Sequence, residues 1–156
     1  MPNLHIIIGD SNTRKSSLLR CMTGVGGGSG TRYMDLTETS GDTIRVYCIL
    51  SALQENYKPL FPAEFVKHVK SLPTKPTDVA FTLRVSPRGL FPGFNEYLQA
   101  FTRAGWPVVN VALLGPSAFT QRGQIRATQS VISVPLSPEQ PTNLTATKVR
   151  AAWRWR

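Results

Sequence analysis

The stretch Leu4-His-Ile-Ile-Ile-Gly-Asp-Ser-Asn-Thr-Arg-Lys-Ser-Ser-Leu-Leu-Arg-Cys-Met-Thr23 reads as a buried strand, a tight turn and a short helix. Leu4, Ile6, Ile7 and Ile8 form a continuous apolar run, the pattern of a parallel strand covered on both faces. Gly9 ends the run. Lys15, Ser16 and Ser17 then open a helix that turns Leu18, Leu19 and Met22 onto the sheet, and Gly24 stops it. A turn of this kind gathers backbone N–H groups at the positive end of a helix dipole, where phosphate is held. A lysine there adds charge for the terminal phosphates, and a neighbouring hydroxyl can ligate magnesium.

The residues Gly9-Asp10-Ser11-Asn12-Thr13-Arg14-Lys15-Ser16 resemble the Walker A element of P-loop nucleoside triphosphatases, G-x-x-x-x-G-K-[ST], with Arg14 in place of the second glycine. The resemblance implies that Gly9 to Ser17 cradle phosphate, that Lys15 holds the outer phosphates of ATP or GTP, and that Ser16 ligates Mg2+. Arg14 either points away from the phosphates or supplies a guanidinium to one. An ordinary strand-helix turn with a solvated Arg-Lys pair is the alternative.

Further along, Arg32–Thr37 and Thr43–Leu50 flank Ser40-Gly41-Asp42, a hairpin signal. An internal antiparallel hairpin is similar to the small-GTPase branch of P-loop proteins. Ser51-Ala-Leu-Gln-Glu55 falls where that branch carries D-x-x-G-Q-E, which by resemblance makes Gln54 the residue that orients attacking water. Ser51 and Leu53 depart from the motif. Gly24–Thr31 lies where such proteins have a switch loop, and reads either as that or as a slack linker. The strand Trp106–Gly115 runs into Leu114-Gly115-Pro116-Ser117 rather than the guanine-selecting N-K-x-D, so the base stays unassigned.

The rest of the chain supplies the layers. Pro62–Leu72 spaces Phe65, Val66, Val69 and Leu72 for one buried helical face and leaves His68 on the wet side. Asp78–Val85 reads as a core strand with its carboxylate at the end away from the phosphates. Arg88, in the Pro- and Gly-rich loop after it, is a candidate phosphate or partner contact. Phe94–Ala104 is a helix with Tyr97, Leu98 and Phe101 inside. Phe119–Ala127 holds one or two helical turns, Ser130–Leu136 a last strand, and Asn143–Arg156 a last helix. These elements predict a three-layer α/β fold of P-loop NTPase type in a single domain over residues 1–156, with a mainly parallel sheet and one antiparallel hairpin strand. A flavodoxin-like arrangement is the runner-up.

The net charge is +9 in 156 residues, and after Ala100 seven Arg or Lys residues face only Glu139. That imbalance favours an anionic partner, whether nucleotide, a membrane surface, or nucleic acid or an acidic protein met by the C-terminal third. The tail Lys148–Arg156 mixes guanidinium and indole groups; its tryptophans either stack on bases or pack on the core. Cys21 and Cys48 read as reduced, buried thiols. No apolar run spans a bilayer and the N-terminus lacks a signal peptide's basic lead-in, so a cytoplasmic protein is expected. Two functions follow: a Mg-dependent NTP-binding protein, a hydrolase or switch, or a non-catalytic basic binding protein with a degenerate P-loop.

Overall fold

A computed structural model describes residues 1–25, 31–55, 58–135 and 141–156. Most of Gly24–Thr31, including its run of glycines, lies outside the described residues, and with it the choice between switch loop and linker.

In chain order the elements are β1 (Asn3–Gly9), α1 (Lys15–Thr23), β2 (Thr31–Thr37), β3 (Thr43–Ala52), α2 (Pro62–Ser71) and β4 (Asp78–Leu83). Then come α3 (Phe94–Arg103), β5 (Val108–Leu114), α4 (Pro116–Phe119), a 3-10 turn (Arg122–Gln124), β6 (Ser130–Val134) and α5 (Thr142–Trp153). The six strands make one sheet in the order β2-β3-β4-β1-β5-β6. Among the described residues only β2 is an antiparallel strand of the sheet, paired with β3 through the turn at Gly41, whose φ of 98° suits glycine. The expected α/β architecture with one antiparallel hairpin strand is therefore present.

The apolar run of β1, interrupted only by His5, follows from its central place. Leu4, Ile6 and Ile8 pack in one core with Phe65 of α2, Tyr97 and Phe101 of α3, and Trp106. Ile7 packs in the other with Leu18, Leu19 and Met22 of α1 and Val149 and Trp153 of α5. Each face of the sheet thus carries its own helices, and a strand between them has no wet side. Ile8 lies opposite Leu83 of β4 and Gly9 opposite Leu114 of β5, so these three strands end at one edge. The chain leaves β1 toward the α1 face, whereas it leaves β4 toward α3 on the opposite face. Such a divergence, at the carboxyl ends of the strands, is where open α/β sheets bind ligands.

Two side chains, Cys21 and His68, differ from expectation, while Cys48 and the tail tryptophans are buried, as one of the readings has them. Cys48 is buried, which pushes its thiol up to about 12, but Cys21 is exposed because α1 turns Leu18, Leu19 and Met22 inward and leaves position 21 off that face. His68 is half-buried, its Nε2 lying 3.0 Å from the Tyr47 hydroxyl. The tail tryptophans are core residues: Trp153 and Trp155 are buried and pack edge to face. No helix among the described residues is long and apolar enough to cross a membrane.

Candidate functional site

The turn between β1 and α1 is shaped by close approach. A Cβ on Gly9 would stand 2.6 Å from Thr13 Oγ1 and 2.9 Å from the Leu114 carbonyl oxygen, so only glycine lets the loop fold back over the strand end. Thr13 Oγ1 in turn donates to the Asp10 carbonyl at 2.7 Å. Asn12 and Arg14 both take left-handed backbone conformations, at φ 61° and 59°. Arg14 is the N-cap of α1, so the position where the Walker A pattern has glycine keeps a conformation that glycine adopts freely.

Helix α1 starts without a side-chain cap and without an acidic residue in its first turn. Its first backbone bond runs from Leu18 N–H to the Arg14 carbonyl, which leaves the amides of Lys15, Ser16 and Ser17 at the open end of the helix. Lys15 is only 5% exposed, and its ammonium donates to the Asp10 carbonyl at 2.6 Å. Burial of that ammonium lowers its pKa; Glu55 opposes the shift, Arg84 adds to it, and Asp10 opposes it weakly. Among the described residues the cation's one hydrogen-bond partner is therefore a neutral carbonyl. Ser16 is half-buried beside it, and Asp10 lies at the loop's start.

Sequence reasoning did not anticipate Glu55 and Arg84 as site residues. Strand β4 lies between β3 and β1, so the segment after β3 is one strand removed from the loop. Glu55 nevertheless accepts from Ser11 Oγ at 3.3 Å and from Arg84 Nη1 at 2.8 Å, linking the ends of β3 and β4 to the loop after β1. Arg84 Nε is buried without a hydrogen-bond partner among the described residues, near enough to Lys15 to lower its pKa. No local pattern marks this pair, because it is assembled by strand order.

Gln54 is 1% exposed and bound at both ends of its carboxamide. Its Nε2 donates to the carbonyls of Arg84, at 3.3 Å, and Pro92, at 3.2 Å, while its Oε1 accepts from Arg84 N–H at 3.1 Å. Both amide protons are thus spent on backbone, in contrast to the water-orienting role that the resemblance implies. Arg88 lines a neighbouring cleft of about 390 Å3 with Glu55, Leu90 and Phe91. Leu114-Gly115-Pro116-Ser117 forms the turn into α4 with Gly115 at φ 86°.

At the opposite end of the sheet a separate polar chain crosses four strands. His5 Nε2 lies 3.0 Å from Asp78 Oδ1, Asn110 Nδ2 lies 3.0 Å from His5 Nδ1, and Ser130 Oγ donates to Asn110 Oδ1 at 2.7 Å. With Asn110 oriented by Ser130, the consistent tautomer of His5 carries its proton on Nε2. Burial raises the Asp78 pKa, but hydrogen bonds from His5 and Thr77 outweigh it and hold the carboxyl below its ordinary range. Asp78 is thus at the amino end of β4, away from the loop, as its place in the sequence predicts.

No family model matches this chain, and no curated protein or solved structure is significantly similar to it.

Proposed function

We propose that this chain binds a nucleoside triphosphate, ATP or GTP, with Mg2+, in the loop from Gly9 to Ser17. The observation that carries the reading is Lys15: a buried ammonium whose one hydrogen-bond partner among the described residues is a carbonyl, on a helix that starts without a side-chain cap. A buried cation held this way is short of negative charge, and phosphate supplies it. The amides of Lys15, Ser16 and Ser17 would hold phosphate oxygens along the helix axis, with Ser11, Asn12 and Thr13 shaping the loop around them. Lys15 would neutralise the outer phosphates. Arg84, next to the loop with a buried donor that has no partner among the described residues, is the second cation within reach.

The Ser16 hydroxyl, one residue beyond Lys15, is the chain's own ligand for magnesium, an ion that takes few protein oxygens and completes its shell with phosphate and water. When bound, that ion supplies charge neutralisation between the phosphates. Gln54 acts as a positioning residue: its grip on Arg84 and Pro92 backbone fixes the segment that carries Glu55. Glu55 is the carboxylate bonded to the loop, and its ion pair with Arg84 keeps both groups beside the phosphate position.

Titration with fluorescent ATP and GTP analogues, with and without magnesium, tests the reading beside Lys15→Ala, with phosphate release followed in the same samples. Magnesium-dependent binding lost in the variant supports it. Equal binding by the two proteins, or none at millimolar nucleotide, removes it.

A further inference from the structure

We propose that a groove between α3 and the 3-10 turn binds single-stranded nucleic acid, independently of the loop at Lys15. The groove has a volume of about 560 Å3, and its lining combines the apolar Leu98 and Val108 with Gln99, Arg103, Gln124 and Arg126. No Asp or Glu occurs between Glu96 and Glu139. Glu96 opens α3 two turns before Arg103, about 10 Å along the helix axis.

Among the described residues Arg103 and Arg126 pair with no carboxylate. Ion pairs among the described residues are His5–Asp78, Arg45–Asp35 and Arg84–Glu55, none of which includes Arg103 or Arg126. Arg126 Nη1 instead donates to the carbonyls of Gly123, at 2.9 Å, and Ile125, at 3.3 Å. Neutral acceptors orient that guanidinium without cancelling its charge, which leaves it set for an external anion. Nearby, Arg122 is held the same way by Ser133 Oγ at 3.2 Å.

The remaining chemistry selects the polyanion. Glutamine carboxamides pair with base edges through a donor and an acceptor at once, and apolar side chains accept the flat face of a base. In an unpaired strand the Watson–Crick edges are open as well, and the base can turn its flat face to the groove, which a stacked duplex cannot offer. Phosphates would lie on Arg103 and Arg126, with a base between Gln99 and Gln124. The basic C-terminal third therefore offers this groove as its contact surface, whereas the indoles of the tail are occupied in the core.

Fluorescence anisotropy over a salt series tests this with a labelled single strand about 15 nucleotides long, the matching duplex and polyglutamate. The single strand should bind best. Arg103→Gln with Arg126→Gln should weaken it about tenfold and reduce the salt slope by about 1.4, at about 0.7 per phosphate contact. Lys67→Gln with Lys70→Gln on α2 removes the same charge and should leave the slope unchanged, as should Lys15→Ala. Both arginines are exposed, so unchanged melting temperatures would show that the fold is kept. Equal loss in the α2 variant, equal or tighter binding of duplex or polyglutamate, or no binding at low salt overturns the proposal.

Discussion

Replacing Arg14 by glycine should make the protein more stable although it removes a whole side chain. Arg14 stands at φ 59° and ψ 27° and makes no side-chain cap bond to α1. A left-handed conformation costs a residue with a Cβ about 1–2 kcal/mol. Glycine removes that cost but gives back about 0.5–1 kcal/mol in the freedom of the unfolded chain. The balance is a gain of about 0.5–1 kcal/mol, or roughly 1–4 °C in Tm for a chain of this size. Arg14→Ala is the necessary comparison, since it deletes the guanidinium and keeps the strain. It should melt no higher than the parent and about 2–4 °C below Arg14→Gly, a difference of about 1 kcal/mol. Differential scanning calorimetry of the three proteins decides the matter. If alanine is as stabilising as glycine, position 14 is not left-handed, and the loop geometry that aligns it with the second Walker A glycine is wrong.

Gly9→Ala should act in the opposite direction. Its Cβ meets both a side chain and the Leu114 backbone oxygen, so a loss of about 1–3 kcal/mol in urea unfolding is expected, and Thr13→Ala should not rescue it. Lys15→Met trades a hydrogen bond worth about 1 kcal/mol for relief of a buried charge, so unliganded stability should stay within about 1 kcal/mol while any nucleotide-dependent rise in Tm vanishes. Asp78 has a depressed folded pKa, so it contributes stability that is fully present above its unfolded value of about 3.9 and is lost as pH falls through the folded one. Asp78→Asn should therefore flatten the acid limb of stability below about pH 5 in chemical denaturation across pH. His5→Ala should cost about 2–4 kcal/mol at neutral pH, because it leaves Asp78 buried without its main partner.

Much of the fold was legible because it rests on local patterns. The doubly covered β1, the hairpin at Gly41 and the helices starting at Lys15, Pro62 and Phe94 each combine an apolar period with a glycine or proline signal. Strand order was not legible: nothing in Asp78–Leu83 says that it inserts between β1 and β3, since that depends on which way each crossover turns. The loop from Gly9 to Ser17 could be read from spacing alone, but Glu55 and Arg84 could not, because they meet the loop only through that insertion. Gln54 shows the reverse case. Its place beside Glu55 suggested a family motif, whereas its environment spends the carboxamide on Arg84 and Pro92 backbone. His5 sat unremarked in an apolar run because its partners, Asp78 and Asn110, are distant in sequence.

The central claim concerns a few backbone amides, and amide-resolved NMR of the 15N-labelled protein during addition of Mg-ATP and Mg-GTP tests it most directly. Phosphate binding in the loop should give saturable shifts largest at Ser11 to Ser17, reproduced by inorganic triphosphate with magnesium and absent in Lys15→Ala. Shifts confined to other residues, or none at millimolar ligand, would contradict it.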